Sequence, residues 1–190
     1  YDELLATLEK AAPELKGGLK VDRVIYKRGS RQAYFYLLSE NVAGEREYTA
    51  IRKALRAAFP GVRLSLRIAS PSLQEDFLQN PDRYAHVIND ILLREHPALS
   101  AWEYDMRYVA EGGRVVLELP DDFAMSYLKE RGLTDKINQA IYDIFCTQTE
   151  VSCRVVGVRE ETTARMERER RAEEAIAEQR RELARKHEEA

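Results

Sequence analysis

The sequence predicts an α+β protein made of two small α/β units followed by a long charged helix. Three observations point there. Val62, Leu64, Leu66 and Ile68 alternate strictly with Arg63, Ser65 and Arg67, which is the period of a strand, and they follow a helical stripe of Tyr48, Ile51, Leu55 and Phe59. A second set of helical and alternating segments begins after the break at Ser70-Pro71-Ser72. Residues 158–190 then hold 9 Lys/Arg and 10 Glu, while every Tyr, Phe and Trp lies before them. The expected bounds are 1–70, 71–157 and 158–190.

In the first unit, Asp2 to Ala12 places Leu4, Leu5 and Leu8 on one helical face, and Lys16-Gly17-Gly18 ends it. Leu19 to Tyr26 reads as a strand in which Leu19, Val21 and Ile25 alternate and Arg23 interrupts. Arg28-Gly29-Ser30-Arg31 is a turn. Ala33 to Leu38 is apolar and aromatic on both sides, as a strand covered on both faces would be. The helical stripe stops at Pro60-Gly61, and the strand Val62 to Ile68 closes the order α-β-β-α-β.

The second unit opens with a short helix near Leu73 to Leu78. Asn80-Pro81 offers a cap and a first-turn proline. Tyr84, Val87, Ile88, Ile91 and Leu92 then form a helical stripe that ends at Pro97. Tyr104 to Val109 and Val115 to Leu119 flank Glu111-Gly112-Gly113-Arg114, a hairpin signal. Asp121 or Asp122 caps a helix with Phe123, Ala124 and Tyr127, and Thr134 caps another with Ile137, Ile141, Ile144 and Phe145. Val151 to Val156 is the last strand. The order α-β-β-α-α-β is that of type II KH-like domains.

Beyond Val158 the chain is Glu-, Arg- and Ala-rich, without Gly or Pro from Arg159 to Glu189. These are good helix formers. Large apolar residues are too sparse for a coiled-coil seam, so a solvated spacer helix is the leading reading, beside a partner-binding coiled coil or disorder.

The composition excludes several classes. The formal net charge is −3, so the chain is no bulk polycation, although a local basic patch remains open. Apolar runs are only a few residues long, short of the ~20 that a membrane helix needs. A chain that opens on Tyr1 is expected to be a trimmed piece, and no signal-peptide order is visible. His86, His96 and His187 have no partner at metal-ligand spacing. Cys146 and Cys153 are expected as buried thiols, with a disulfide or redox pair as the alternative. No phosphate loop, nucleophile elbow or dinucleotide fingerprint is present. The pair Asp121-Asp122 fits a helix N-terminus better than a catalytic dyad. No catalytic residue, metal, cofactor, small-molecule ligand or membrane contact is expected.

Two segments bear on nucleic acid. Arg63, Ser65 and Arg67 share one sheet face, Tyr34 and Tyr36 can join it, and Lys27, Arg28 and Arg31 flank it at the turn. Aromatic rings and cations on a sheet stack bases and neutralise phosphates. The alternative is a face packed on the second unit or wet at its rim. A nucleic-acid-binding KH domain uses a GxxG loop, but here the corresponding stretch is Gly132-Leu133-Thr134-Asp135, with an acid in place of the second glycine. That favours packing or protein contact for the second unit.

The blocks Leu19-Lys20-Val21-Asp22-Arg23-Val24, Arg31-Gln32-Ala33-Tyr34-Phe35-Tyr36-Leu37 and Ala54-Leu55-Arg56-Ala57-Ala58-Phe59 carry a family resemblance, together with the strand Val62 to Ile68. With the KH-like block and the charged helix, the chain resembles the N-terminal region of the PolC-type, Gram-positive form of the bacterial DNA polymerase III alpha subunit. The resemblance implies a non-catalytic, cytoplasmic module of DNA replication. It implies a longer parent chain that polymerises DNA and proofreads with a 3′–5′ exonuclease, whose catalytic acids lie beyond residue 190. The KH-like part is similar to the polymerase-binding C-terminal domain of the clamp-loader tau subunit. Replisome proteins, such as that tau subunit, are the implied partners, with single-stranded DNA as a further candidate.

Overall fold

The computed structural model describes residues 2–158 and Arg170. The expected charged helix therefore lies almost wholly outside the described residues. The first unit runs α1 (Asp2–Ala11), β1 (Lys20–Lys27), β2 (Gln32–Leu38), α2 (Glu45–Ala58) and β3 (Arg63–Ala69). The second runs α3 (Gln74–Gln79), α4 (Ala85–Glu95), β4 (Arg107–Glu111), β5 (Arg114–Leu119), α5 (Asp122–Glu130), α6 (Leu133–Phe145) and β6 (Val151–Val155). The fold is α+β with two small α/β units, as the alternating and helical periods require.

Both units wind alike. Each holds a three-stranded sheet, in the orders β1-β2-β3 and β4-β5-β6. In each, an antiparallel hairpin is followed by a helical crossover to a strand parallel to the hairpin's second strand. One face of each sheet is buried under helices. Leu8 of α1, Ile51 and Leu55 of α2 and Phe35 of β2 meet in the first core. Ile88 of α4, Leu117 of β5, Ile137 and Ile141 of α6 and Phe77 of α3 meet in the second. Phe77 stacks on Phe145 with ring centroids 4.2 Å apart.

Local chemistry explains the joints. Pro13, Pro71, Pro81 and Pro97 each open a short 3₁₀ turn, where a fixed φ and a missing N–H cost nothing. Gly112 and Gly113 both take positive φ, 55° and 80°, which the tight β4–β5 hairpin demands. Asp121 caps α5, its carboxylate accepting from the Ala124 N–H at 2.7 Å.

Several expectations are corrected. A bulge at Val21/Arg23 shifts the parity of β1. Val21 still pairs with the inward Leu37, but Arg23 and Ile25 turn outward, and Ile25 is 43% exposed. β2 is covered on one face only: Ala33, Phe35 and Leu37 are buried, whereas Tyr34, Tyr36 and Leu38 are half-buried. Asn80 stands at the N-cap position before Pro81, but its side chain makes no capping bond; Pro81–Tyr84 is a 3₁₀ turn, and α4 begins at Ala85. Tyr104 lies in a turn before β4 rather than in the strand. Gly132, not Thr134, precedes α6, and Thr134 sits inside it. Cys146 is exposed; only Cys153 is partly buried, and both are free thiols.

Arg67 joins the units. Its guanidinium donates to the Tyr142 carbonyl at 2.9 Å and the Asp143 carbonyl at 3.0 Å, near the C-terminal end of α6. The Tyr142 carbonyl also accepts from the Cys146 N–H at 3.0 Å, so Arg67 is its second donor, and the dipole at this helix end favours a cation. The Ser70 N–H donates to the Ile144 carbonyl, and its hydroxyl donates to the Asn41 carbonyl at 3.0 Å. Arg94 of α4 pairs with Glu45 of α2 at 3.0 Å and lies over the Tyr48 ring. Between these contacts runs an open cleft of about 270 Å³, walled by Tyr48, Leu66, Ile68, Val87, Ile91 and Ile144.

Candidate nucleic-acid interface

Strand pairing places the outward residues of the first sheet. Parallel partners Gln32 and Arg63, Tyr34 and Ser65, and Tyr36 and Arg67 point to one side. Antiparallel partners add Lys27 beside Gln32, Ile25 beside Tyr34, Arg23 beside Tyr36 and Lys20 beside Leu38. The face therefore brings together Tyr34, Tyr36, Arg63, Arg67 and Lys27, all anticipated from sequence. Arg28 and Arg31 lie exposed in the turn at its edge. Arg31 holds a φ of 48°, and its carbonyl accepts from the Arg63 N–H at 2.8 Å, tying the turn to β3.

Sequence reading missed two members. Lys20 reaches this face by plain alternation with Val21, and Arg23 because of the bulge, which no periodicity announces. Arg23 lies 4.4 Å from the Tyr36 ring centroid, and Lys27 lies 5.1 Å from that of Tyr34. Each ring thus carries a cation over it, a contact worth about 0.5–1 kcal/mol when exposed. Arg67 is only partly available, because its guanidinium is engaged with α6 and its side chain keeps 27% exposure.

None of the outward, register-paired positions on β1–β3 is acidic. The bulged Asp22, 3.9 Å from Arg23, is the acid nearest along β1. The second sheet contrasts with this. On its outward face Arg154 bonds Glu118 and Glu111, both contacts at 2.6 Å, so its charge is answered internally. Cations beside aromatic rings are what a phosphate backbone with splayed bases can use.

The Gly132-Leu133-Thr134-Asp135 stretch is no open loop. Gly132 takes a left-handed φ of 61° and leads straight into α6, and Leu133 is fully buried. The Thr134 hydroxyl lies 4.0 Å from Cys153 Sγ, and Asp135 sits in the first helical turn. The Leu133 side chain thus points into the core, where a phosphate clamp would need open backbone.

The second unit exposes another cluster. Trp102 lies 5.6 Å from Phe123 and 5.6 Å from Tyr127, and Phe123 is 70% exposed. Arg131 lies over Tyr127, whose ring also meets His96 edge-on.

Asp76, in the second unit, has structural partners. The Tyr84 hydroxyl donates to Asp76, and this bond, with Arg83 and Asn80 adding theirs, holds the Asp76 carboxyl below its ordinary range. Among the described residues no group of three or more His, Cys, Asp or Glu could hold a metal ion. No described helix is long and apolar enough to cross a membrane.

No family model matches the chain, and no curated protein matches it.

Proposed function

We propose that this chain is a non-catalytic interaction module of the bacterial replisome, of the kind found at the N-terminus of PolC-type DNA polymerase III alpha subunits. The observation that supports docking best is the exposed Phe123 ring, set against the half-buried Trp102, which also meets the half-buried Tyr127. Exposed aromatic clusters of this sort act as anchors in protein interfaces. The closed Gly132–Asp135 segment supports the same reading, because it directs the second unit toward proteins rather than phosphates. A cytoplasmic setting and a polymerase parent chain belong to this proposal.

The test is capture of purified replisome proteins, the clamp-loader tau subunit first, by the immobilised chain at near-physiological salt. Capture that Phe123→Ala and Trp102→Ala weaken would support the reading. No capture of any of them would overturn it.

A second reading is favoured by the outward face of β1–β3: single-stranded nucleic acid laid over Tyr34 and Tyr36, with Lys27, Arg63, Arg28 and Arg31 on its phosphates. Salt-dependent binding of an oligonucleotide, weakened by Arg63→Ala, supports it. No binding at low salt overturns it.

A further inference from the structure

The first sheet's cation-covered rings do not end at β3. Arg67 pairs in register with Tyr36 and points to the same side. Its guanidinium lies 5.1 Å from the Tyr142 ring centroid, on α6 of the second unit. Tyr142 is 41% exposed. Three tyrosines with a cation over each therefore follow one another: Tyr34 under Lys27, Tyr36 under Arg23, and Tyr142 under Arg67. Tyr34 and Tyr36 stand about 6.7 Å apart along the strand. Consecutive bases of a stretched single strand can cover that distance.

We propose that these residues form one binding track for single-stranded nucleic acid that crosses from the first sheet onto α6, with Tyr142 as its far stacking platform. The proposal rests on the nucleic-acid reading of the sheet face and extends it. Charge complementarity argues for this occupant. The strand positions facing the track are basic or neutral, and the acids beside it, Asp22 and Asp143, sit against Arg23 and Arg67. In the free protein the cations lie over the rings. When bases stack there, Arg23 and Lys27 swing off to the phosphates, so the charge is kept at the site and only its place changes. Arg67 acts differently. It stays on the Tyr142 and Asp143 carbonyls and serves as a positioning residue, fixing α6 beside the sheet so that the track is continuous and a base stacks on the part of the Tyr142 ring left exposed beside it.

The clamp bonds the backbone of Tyr142, not its side chain, so Tyr142→Ala removes the ring and leaves the clamp. The experiment is fluorescence anisotropy of the chain with oligo(dT) and oligo(rU) of about 12 nucleotides and of about 4, spans typical of small single-strand binders. Binding of either chemistry to the longer oligonucleotide is expected, with affinity falling as salt rises. Tyr142→Ala should weaken the longer complex about tenfold and leave the shorter one unchanged. Tyr142→Phe should bind as the wild type does. If Tyr34→Ala and Tyr36→Ala weaken binding but Tyr142→Ala does not, the track ends at β3 and this inference is overturned, while the sheet-face reading survives. If the wild type binds neither oligonucleotide, both fall together.

Discussion

The Arg67 guanidinium closes on the carbonyls of Tyr142 and Asp143, at 2.9 and 3.0 Å, and so ties the last strand of one unit to the last turn of a helix in the other. Charge-assisted bonds to helix-end carbonyls are among the stronger single contacts available at a surface. Arg67→Ala should lower stability by about 1–2 kcal/mol, the low part of that range because the side chain keeps contact with water. Arg67→Lys should recover less than half, since an ammonium lacks the planar fork. Urea midpoints of the three proteins check this; equal midpoints would show that the clamp contributes nothing.

Ile88 and Ile141 are fully buried in the second core. Ile88→Ala and Ile141→Ala should each cost about 2–5 kcal/mol. Leu66→Asp should cost less than a charge buried in that core would, because Leu66 lies at the half-buried wall of the cleft. Thermal melts unchanged by the two isoleucine variants would refute the assigned helix faces.

Burial holds the Tyr108 phenol above its ordinary value of 10.0, and its hydroxyl donates to Asn89 at 2.9 Å. The folded chain keeps a proton that the unfolded chain releases. The stability this contributes is full below pH 10.0 and declines as pH rises past it, by at most about 1.4 kcal/mol per pH unit. Tyr108→Phe should be less stable at neutral pH by about 1–3 kcal/mol, because Asn89 loses its donor. It should also show a shallower alkaline decline. Parallel alkaline slopes for the two proteins would count against the burial account.

Asp135→Gly recreates a GxxG spelling at residues 132–135. It should confer no nucleic-acid binding on the second unit, because residue 135 lies in the first turn of α6 and Leu133 is locked in the core. It should cost about 1 kcal/mol in helix propensity. A gain of oligonucleotide affinity that persists when Tyr34 and Tyr36 are both alanine would contradict this.

Cys146 is exposed and Cys153 is partly buried, and burial pushes the Cys153 thiol up. A thiol reagent should label Cys146 rapidly in the native chain and Cys153 only slowly, with both reacting at once in denaturant. Mass spectrometry of the labelled peptides checks the order.

Much of the fold could be read from sequence where the signal is local. The alternation from Val62 to Ile68 became β3, and Gly112-Gly113 became the hairpin turn, because both depend on neighbouring residues alone. The bulge at Val21/Arg23 is set by pairing with β2, so the outward turn of Arg23 and Ile25 could not be read from β1 by itself. The same limit hid Tyr142. It joins Arg67 across 75 residues of chain, and no spacing rule reaches that far. Tyr34, Tyr36 and Arg63 were legible as one face because they lie on adjacent strands whose parity is undisturbed.

The cations over Tyr34 and Tyr36 also bear on how copies of this chain treat one another. An open sheet bearing aromatic rings invites stacking onto a sister molecule. Two such faces brought together would set arginine and lysine against arginine and lysine, with Asp22 at the bulge as the one carboxylate on β1–β3. The sheet thus repels its own likeness at low ionic strength, the same charge that the proposed binding of a polyanion would use. Added salt weakens both effects together, so self-association and release of the proposed oligonucleotide should appear over the same range of ionic strength.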